Sequence, residues 1–241
     1  MKAKALFQTL VYNIFFPLYT YLIGAPIVII AILLKNYKFV GWFNHNWGKA
    51  AFACIFQKFE VVGEQYINPQ KRYLIVSNHG SSYDIPAILS IIESPISWVI
   101  KDALLKMPVM NILFLLGMGI PIPRSNARES QKRILKHIEV LRQSMDPNIV
   151  IFPEGTRSIT GELNPFKRGF TKIMKNYQMD ILPITLCGFY KFAPRNRFLL
   201  NPTSKLKIIV HPPISYEQAK NIDEKLLAKQ IQQQIKSVYY P

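Results

Sequence analysis

The chain has 241 residues, with 30 lysines and arginines against 14 acidic residues, and 49% of its residues are hydrophobic. This length allows one domain with a full hydrophobic core and leaves little room for a second domain of ordinary size. A formal net charge of +16 on so apolar a chain favours contact with membrane lipids or an anionic lipid substrate. Nucleic-acid binding would rest on charge alone, because no DNA- or RNA-binding motif is present.

The N-terminal segment from Ala5 to Leu34 contains no charged residue and exceeds the ~20 apolar residues that cross a bilayer. Pro17, Gly24 and Pro26 interrupt it, so we expect either one kinked span or two shorter helices in the membrane interface. Lysines flank both ends, which favours a hairpin or monotopic anchor. A cleaved signal peptide is the alternative, and the length of the run and the lack of an A-x-A site favour a retained anchor.

The two cysteines, Cys54 and Cys187, lie far apart in apolar contexts and form no C-x-x-C pair. We therefore expect buried packing thiols, no disulfide framework and a reducing compartment. These spacings also predict no zinc site.

The region after the anchor, residues 40–58, places aromatic and apolar residues at helical spacing and should continue the anchor or pack it onto the body. His45 in this region has alanine five residues later, and we interpret it as a packing or interfacial residue. A further helix is predicted between residues 128 and 144, with an apolar stripe. This stripe consists of Ile134, Leu135, Ile138 and Leu141.

Short apolar runs alternate with helical patterns through the rest of the chain. The predicted strands are residues 59–62, 73–76, 97–100, 149–152, 181–186 and 206–210. This alternation predicts an α/β domain, residues 59–241, with a mostly parallel central sheet covered by helices. It follows an N-terminal region of membrane-associated, anchoring helices, residues 1–58.

Two polar clusters follow predicted strands, where ligands of parallel sheets bind. The first, "SNHGSSYDIP", places His79 five residues before Asp84. On a continuous helix these side chains would point roughly 140° apart, so they meet only if the chain turns between them. Gly80 and the two following serines suit such a turn, and Asp84 suits a helix start.

In that geometry the carboxylate of Asp84 would hold one imidazole nitrogen of His79 and leave the other free to act as a general base. The nucleophile would then be a hydroxyl of the substrate. An acyl-enzyme on Ser81 or Ser82 is the alternative, although turn and capping roles are more usual for such serines. A hydrogen-bonded turn histidine without catalytic function is the other interpretation of His79.

The second cluster, "FPEGTRS", has the composition of a phosphate-binding loop. Gly155 permits an unusual backbone angle, Thr156 is a donor and Arg157 offers a planar fork. Glu154 could hold the arginine or orient the substrate. Other basic residues occur in similar positions, and each alone would be an ordinary surface charge: Arg124, Lys167 and Arg168.

With these blocks in order, the chain resembles the glycerophospholipid acyltransferases typified by 1-acylglycerol-3-phosphate acyltransferase. The resemblance spans residues 59–210. It rests on Asn78-His79 with Asp84, residues 119–124, residues 152–158 and Leu182-Pro183-Ile184.

This resemblance implies transfer of a fatty acyl group from a thioester, acyl-CoA or acyl carrier protein, to the free hydroxyl of lysophosphatidic acid, giving phosphatidic acid. It implies no further cofactor and no metal. His79 would be the general base and Asp84 its orienting partner. The implied substrate-binding residues are Asn78, Lys101, Arg124, Glu154, Gly155, Thr156, Arg157 and Lys167. The implied location is the membrane, with the catalytic domain facing the cytoplasm.

The chain departs from the family pattern at two positions: Gly80 replaces a larger polar residue and Pro123 a charged one. A different lysophospholipid acceptor, or a lipid-binding protein without turnover, are the alternatives. The presence of His79, Asp84 and Glu154 favours an enzyme, and a metal-dependent hydrolase is disfavoured because only one histidine and one aspartate converge. Residues 108–119 either line an acyl-chain tunnel or belong to the core.

Overall fold

The fold is a mixed α/β structure, described here by a computed structural model for residues 2–107, 110–123 and 127–241. Its strands are β1 Phe59–Val62, β2 Tyr73–Ser77, β3 Ile96–Lys101, β4 Gly119–Ile122, β5 Asn148–Ile151, β6 Asp180–Cys187 and β7 Leu206–Val210. Its helices are α1 Lys2–Leu33, α2 Tyr37–Ala53, α3 Asp84–Leu89, α4 Met110–Leu113, α5 Ala127–Ser144, α6 Gly169–Tyr177, α7 Phe189–Phe192, α8 Tyr216–Ala219 and α9 Glu224–Val238.

The described residues form one seven-stranded sheet with the order β1-β7-β6-β2-β5-β3-β4. Neighbouring strands are parallel except for the antiparallel pair β6–β7. The prediction of a mostly parallel sheet is therefore confirmed, and each of the six predicted strands is present. Because β2, β5, β3 and β4 run in the same direction, the loops after them meet at one edge of the sheet.

Strand β4 is absent from the predicted strands, because the sequence pattern assigns its residues only to a binding block. Pro121 lies inside β4 and Pro123 follows it, which masks the strand pattern. The strand tolerates Pro121 because β4 is at the edge of the sheet, where one side of the backbone needs no partner.

The sheet is covered on both faces, and β2 shows how one apolar run serves both. Tyr73 and Ile75 enter the core cluster shared with α2, α3 and α7. Leu74 and Val76 point the other way, into a cluster with α5, α6 and α9. A strand buried on both faces reads as a continuous apolar run, as β2 does.

The predicted apolar stripe of α5 packs on the sheet as expected. Ile134, Ile138 and Leu141 are buried in the second cluster, and Leu135 is half-buried beside them. On α2, His45 is a packing residue, since its Nδ1 lies 3.2 Å from the carbonyl oxygen of Leu89.

The two cysteines are free thiols, Cys187 buried and Cys54 half-buried. The predicted domain boundary at residue 58 falls between α2 and β1. Ala51 and Phe52 of α2 lie in the same core cluster as β2 and β6, so the N-terminal helices and the sheet share a core. The division into two domains stays a prediction.

The N-terminal apolar segment forms one helix, α1, of 32 residues, long and apolar enough to cross a membrane by length and composition. Its backbone widens into π-helical turns at Val11–Phe15 and Thr20–Gly24. Pro17 and Pro26 follow these turns, at the start of the next α-helical stretch. A wide turn accommodates the missing proline N–H, which explains why the prolines do not break the helix.

One side of α1 is docked on the body of the protein. Gln8 Nε2 donates a 2.7 Å hydrogen bond to Ile55 O, and Thr9 Oγ1 accepts one of 3.0 Å from Leu200 N. The Tyr12 ring stacks on Tyr83 with centroids 3.9 Å apart. The other side is exposed and apolar: Leu6, Phe7, Leu10, Ile14, Phe15, Leu18, Leu22, Ile23, Ile30 and Leu33.

Adjacent phenylalanines of α1 test this docking. Phe16→Ala should lower the free energy of unfolding by about 3–5 kcal/mol, because Phe16 is buried in the main core cluster. Phe15→Ala is the matched control, since Phe15 is 63% exposed, and it should leave the unfolding free energy unchanged. Chemical unfolding in detergent micelles measures both, and equal effects would contradict the docked helix.

Candidate active site

The turn between β2 and α3 is organised by the buried carboxylate of Asp84. Its Oδ2 accepts hydrogen bonds from His79 Nδ1 at 2.7 Å, from Gly80 N at 2.8 Å and from Ser81 N at 2.9 Å. The five-residue spacing therefore closes into a compact turn, as the sequence predicts. With Nδ1–H donated to the carboxylate, the neutral imidazole keeps its lone pair on Nε2, which is the arrangement a general base requires.

The imidazole of His79 is held from one face by an aromatic ring. Phe152 stacks on it with centroids 4.1 Å apart and planes 10° apart, and Trp98 lies beyond Phe152 at 6.0 Å. The His79 side chain is 17% exposed, and it lines a cavity. The ring is thus fixed in orientation while one edge faces the cavity.

Glu154 links the two predicted clusters. Its Oε1 accepts a 2.7 Å hydrogen bond from His79 N, and its Oε2 accepts one of 2.8 Å from Asn164 N. Burial raises the pKa of Glu154, and the hydrogen bonds from the two backbone donors oppose that rise. Glu154 therefore acts on the backbone of the His79 turn, and its contact with substrate stays a prediction.

The side chain of Asn78 also forms hydrogen bonds with the backbone. Its Nδ2 donates to Leu186 O at 2.9 Å, and its Oδ1 accepts from Leu186 N at 2.8 Å. The side chain is buried and extends the β2–β6 pairing by one step. It does not line the cavity, so a direct role in substrate binding stays a prediction.

The cavity has a volume of about 730 Å³ and lies beyond the carboxyl ends of β2, β5, β3 and β4. It brings together four of the predicted residues: His79, Lys101, Gly155 and Lys167. Gly155 has φ +75°, and a side chain there would begin 3.0 Å from Lys167 Nζ. The positive φ favours glycine at this position, and its lack of a side chain leaves room for the lysine.

The cavity wall also contains Arg128 and Lys172, which the sequence analysis did not single out, and Arg168, which it did not assign to the site. Arg128 lies on the N-terminal continuation of the α5 apolar stripe, so extending that stripe would have located it. Within the described residues, none of the five cavity cations (Lys101, Arg128, Lys167, Arg168 and Lys172) has a carboxylate within 4.0 Å. The cavity is suited to an anion.

Two predicted residues of the second cluster do not line the cavity. Thr156 is exposed and Arg157 is half-buried in the loop after Gly155, and neither lines the cavity. Arg124 lies outside the described residues. Among the described residues no group of three or more His, Cys, Asp or Glu side chains could hold a metal ion.

The unusual Gly80 has a structural explanation. A side chain at this position would begin 3.3 Å from Cβ of Tyr190, which is tight for such a contact. The tyrosine, on α7, occupies the space that a larger residue at position 80 would need.

A His–Asp pair beside a cationic cavity, at the carboxyl edge of a mostly parallel sheet, defines a site for base-assisted chemistry on an anionic substrate. The family model described as Acyltransferase matches residues 58–187, more than half of the chain. The chain belongs to this family, which confirms the family predicted from the motifs.

One solved structure and two relatives show what this chain is similar to. The crystal structure of the 1-acyl-sn-glycerophosphate (LPA) acyltransferase PlsC from Thermotoga maritima superposes with a TM-score of 0.82 at 26% identity, covering 98% of this chain and 95% of that one. The 1-acyl-sn-glycerol-3-phosphate acyltransferase of Borreliella burgdorferi is 29% identical over 74% of this chain and 70% of its own length. The chloroplastic enzyme BAT2 of Brassica napus is 28% identical over 79% of this chain, which spans 58% of that relative.

The bridging role of Glu154 predicts an effect on stability. Glu154→Gln should lower the free energy of unfolding by about 1–3 kcal/mol. The side-chain NH2 group of glutamine would replace one of the two accepting oxygens, so one buried backbone N–H would lose its acceptor. Since burial raises the pKa of Glu154, its carboxylate protonates at a higher pH than an exposed one. A protonated carboxyl keeps a lone pair on each oxygen, and the folded protein binds this proton more tightly than the unfolded chain, so wild type should gain stability over Glu154→Gln as the pH falls through that raised pKa.

Urea unfolding at several pH values measures this difference. Glu162→Gln is the matched control, because Glu162 is exposed on the neighbouring loop. If both substitutions had the same effect, the bridge would be excluded.

Proposed function

We propose that the chain is a membrane-bound 1-acylglycerol-3-phosphate O-acyltransferase of phospholipid biosynthesis. It transfers a fatty acyl group from a thioester donor to the free hydroxyl of lysophosphatidic acid and forms phosphatidic acid. The observation that carries this proposal is the His79–Asp84 pair opening into a cavity lined by cations. The activity named for the relatives from Thermotoga maritima and Borreliella burgdorferi supports the choice of acceptor.

The reaction needs one proton to move twice. Nε2 of His79 takes the proton of the acceptor hydroxyl while the hydroxyl oxygen attacks the thioester carbonyl. Asp84 stabilises the imidazolium that forms. The tetrahedral intermediate collapses, its carbon–sulfur bond breaks, and the departing thiolate takes the proton back from His79. The products are the ester and a free thiol.

The structure supports direct transfer over an acyl-enzyme on a serine. Ser81 is buried, its Oγ donates to Ala193 O at 3.2 Å and accepts from Tyr83 N at 3.2 Å. Ser82 is exposed and does not line the cavity. Both serines thus serve the turn, and the acceptor hydroxyl is left as the nucleophile.

The cations suit two phosphate-bearing substrates. Lys167 stands beside Gly155 on the loop that follows β5, next to the His79 turn, and we assign it with Lys101 to the acceptor phosphate. Thr156 and Arg157 continue this loop and complete the proposed acceptor site. The remaining cations lie on the wall formed by α5 and α6 and suit the phosphates of coenzyme A or of the pantetheine arm of acyl carrier protein: Arg128, Arg168 and Lys172.

The acyl chain has a candidate site in a second cavity of about 140 Å³ between α1, α2 and β3. It shares Ile85, Trp98, Ile100 and Leu104 with the first cavity, and its wall is almost wholly apolar. Leu113, Phe114 and Met118 also line it, which supports the tunnel interpretation of residues 108–119.

The exposed apolar side of α1 is the proposed membrane contact, with the catalytic domain on the cytoplasmic face. The net charge of +16 favours an anionic leaflet. Because the other side of α1 is part of the core, removing the whole helix would disrupt the fold. Substitution of exposed residues such as Leu22 is therefore the appropriate test of membrane binding.

Loss of the base should abolish most of the activity. His79→Ala should lower kcat roughly 10²- to 10⁴-fold without loss of fold, in an acyl-transfer assay with lysophosphatidic acid on detergent-solubilised protein. His137→Ala, on the exposed side of α5, is the matched control and should retain full activity. If His79→Ala matched wild type on every lysolipid and with both donors, the enzymatic function would be refuted.

Substitutions in the two groups of cations should affect the KM values of different substrates. Lys167→Ala should raise KM for lysophosphatidic acid about 10-fold, since it removes a charge-assisted contact, and should leave KM for the donor unchanged. Lys172→Ala should do the reverse. Lys132→Ala, an exposed residue of α5 outside the cavity, should change neither. A higher acceptor KM in Lys172→Ala would refute the assignment of the α5–α6 wall to the donor.

A further inference from the structure

The loop of residues 158–164 closes the back of the proposed active site. Ser158 N donates to His79 O at 2.9 Å, and Asn164 N donates to Glu154 Oε2 at 2.8 Å. Glu154 in turn accepts from His79 N. Both backbone polar groups of His79 therefore depend, directly or through Glu154, on where this loop lies.

Three side chains from outside the 158–164 loop bind three of its carbonyl groups. Tyr190 Oη donates to Ile159 O at 2.7 Å, and Tyr239 Oη donates to Gly161 O at 2.7 Å. Gln232 Nε2 donates to Asn164 O at 3.0 Å. The donors belong to α7, to α9 and to the segment after α9. They hold the loop at its start, middle and end.

Tyr190 contacts both parts that must be held together. Its backbone and Cβ pack on Gly80, next to His79, and its ring packs on Gly161. Gly161 has φ +92°, and a side chain there would begin 2.8 Å from the Tyr190 ring and 3.1 Å from Cβ of Pro241. The glycines at 80 and 161 thus leave room for one tyrosine between the His79 turn and the loop.

We propose that three positioning residues form a brace: Tyr190, Gln232 and Tyr239. Through the 158–164 loop and Glu154, this brace sets the position and orientation of His79. None of the three lines the cavity, so they act without touching substrate. This inference rests on the proposed function for its effect on catalysis, and on the contacts alone for its effect on the loop.

The hydroxyl of Tyr239 is suited to a permanent role as donor. Burial raises its pKa, and the charges of Glu154 and Asp84 raise it further, so the phenol stays protonated over the working pH range.

Tyr239→Phe and Gln232→Met test the brace, each removing one hydrogen bond at nearly constant volume. Each should lower kcat about 3- to 10-fold with KM for both substrates unchanged. Tyr240→Phe is the matched control. It deletes the neighbouring hydroxyl, for which no hydrogen bond is present among the described residues, and should match wild type.

Amide hydrogen exchange keeps the test independent of activity. Protection of the Asn164 and His79 amides should fall in Tyr239→Phe and Gln232→Met and stay unchanged in Tyr240→Phe. Unchanged protection, or a lower melting temperature with an unchanged kcat, would overturn the brace. If wild type transferred no acyl group, the proposed function would fail, while exchange would still decide whether the brace holds the loop.

Discussion

The site depends on one buried charge, the carboxylate of Asp84. A carboxylate without exposure to water is costly unless it accepts hydrogen bonds. Three donors of the same turn donate to Oδ2 of Asp84. Two of these donors are backbone N–H groups, and the third is the imidazole. The interaction that closes the turn is therefore also the one that selects the tautomer of His79, so local folding and chemistry cannot be separated here.

The topology of the sheet determines which residues lie next to this turn. Strands β2, β5 and β3 are adjacent and parallel, so residues at or just after their ends converge on one cavity: His79, Gly155 and Lys101. The antiparallel strand β7 directs its following loop to the opposite edge. Glu154 then ties the loop after β5 to the turn after β2 through backbone donors. Topology brings the groups near, and hydrogen bonds to the backbone set their final positions.

Much of this was predictable from the sequence, for identifiable reasons. Buried parallel strands are apolar runs, and the residues that close the His79–Asp84 turn are all within one short segment. The partners of Asn78 and Glu154 were not predictable, because a backbone N–H leaves no trace in the sequence. Gly80 was read as a departure from a pattern, and it is explained only by Tyr190, which folding brings to it from a distant part of the chain.

The helix α1 joins the proposed membrane contact to the site. Its Thr20, Gly24 and Val28 line the apolar cavity that shares a wall with the His79 cavity, while its other side is exposed and apolar. A flexible tether would leave the distance between His79 and the bilayer undefined. A helix that shares the core of the sheet fixes that distance, because it cannot shift in the membrane without moving the walls of both cavities. In the proposed function, attachment to the lipid and access of an acyl chain to the base are therefore properties of one structural unit.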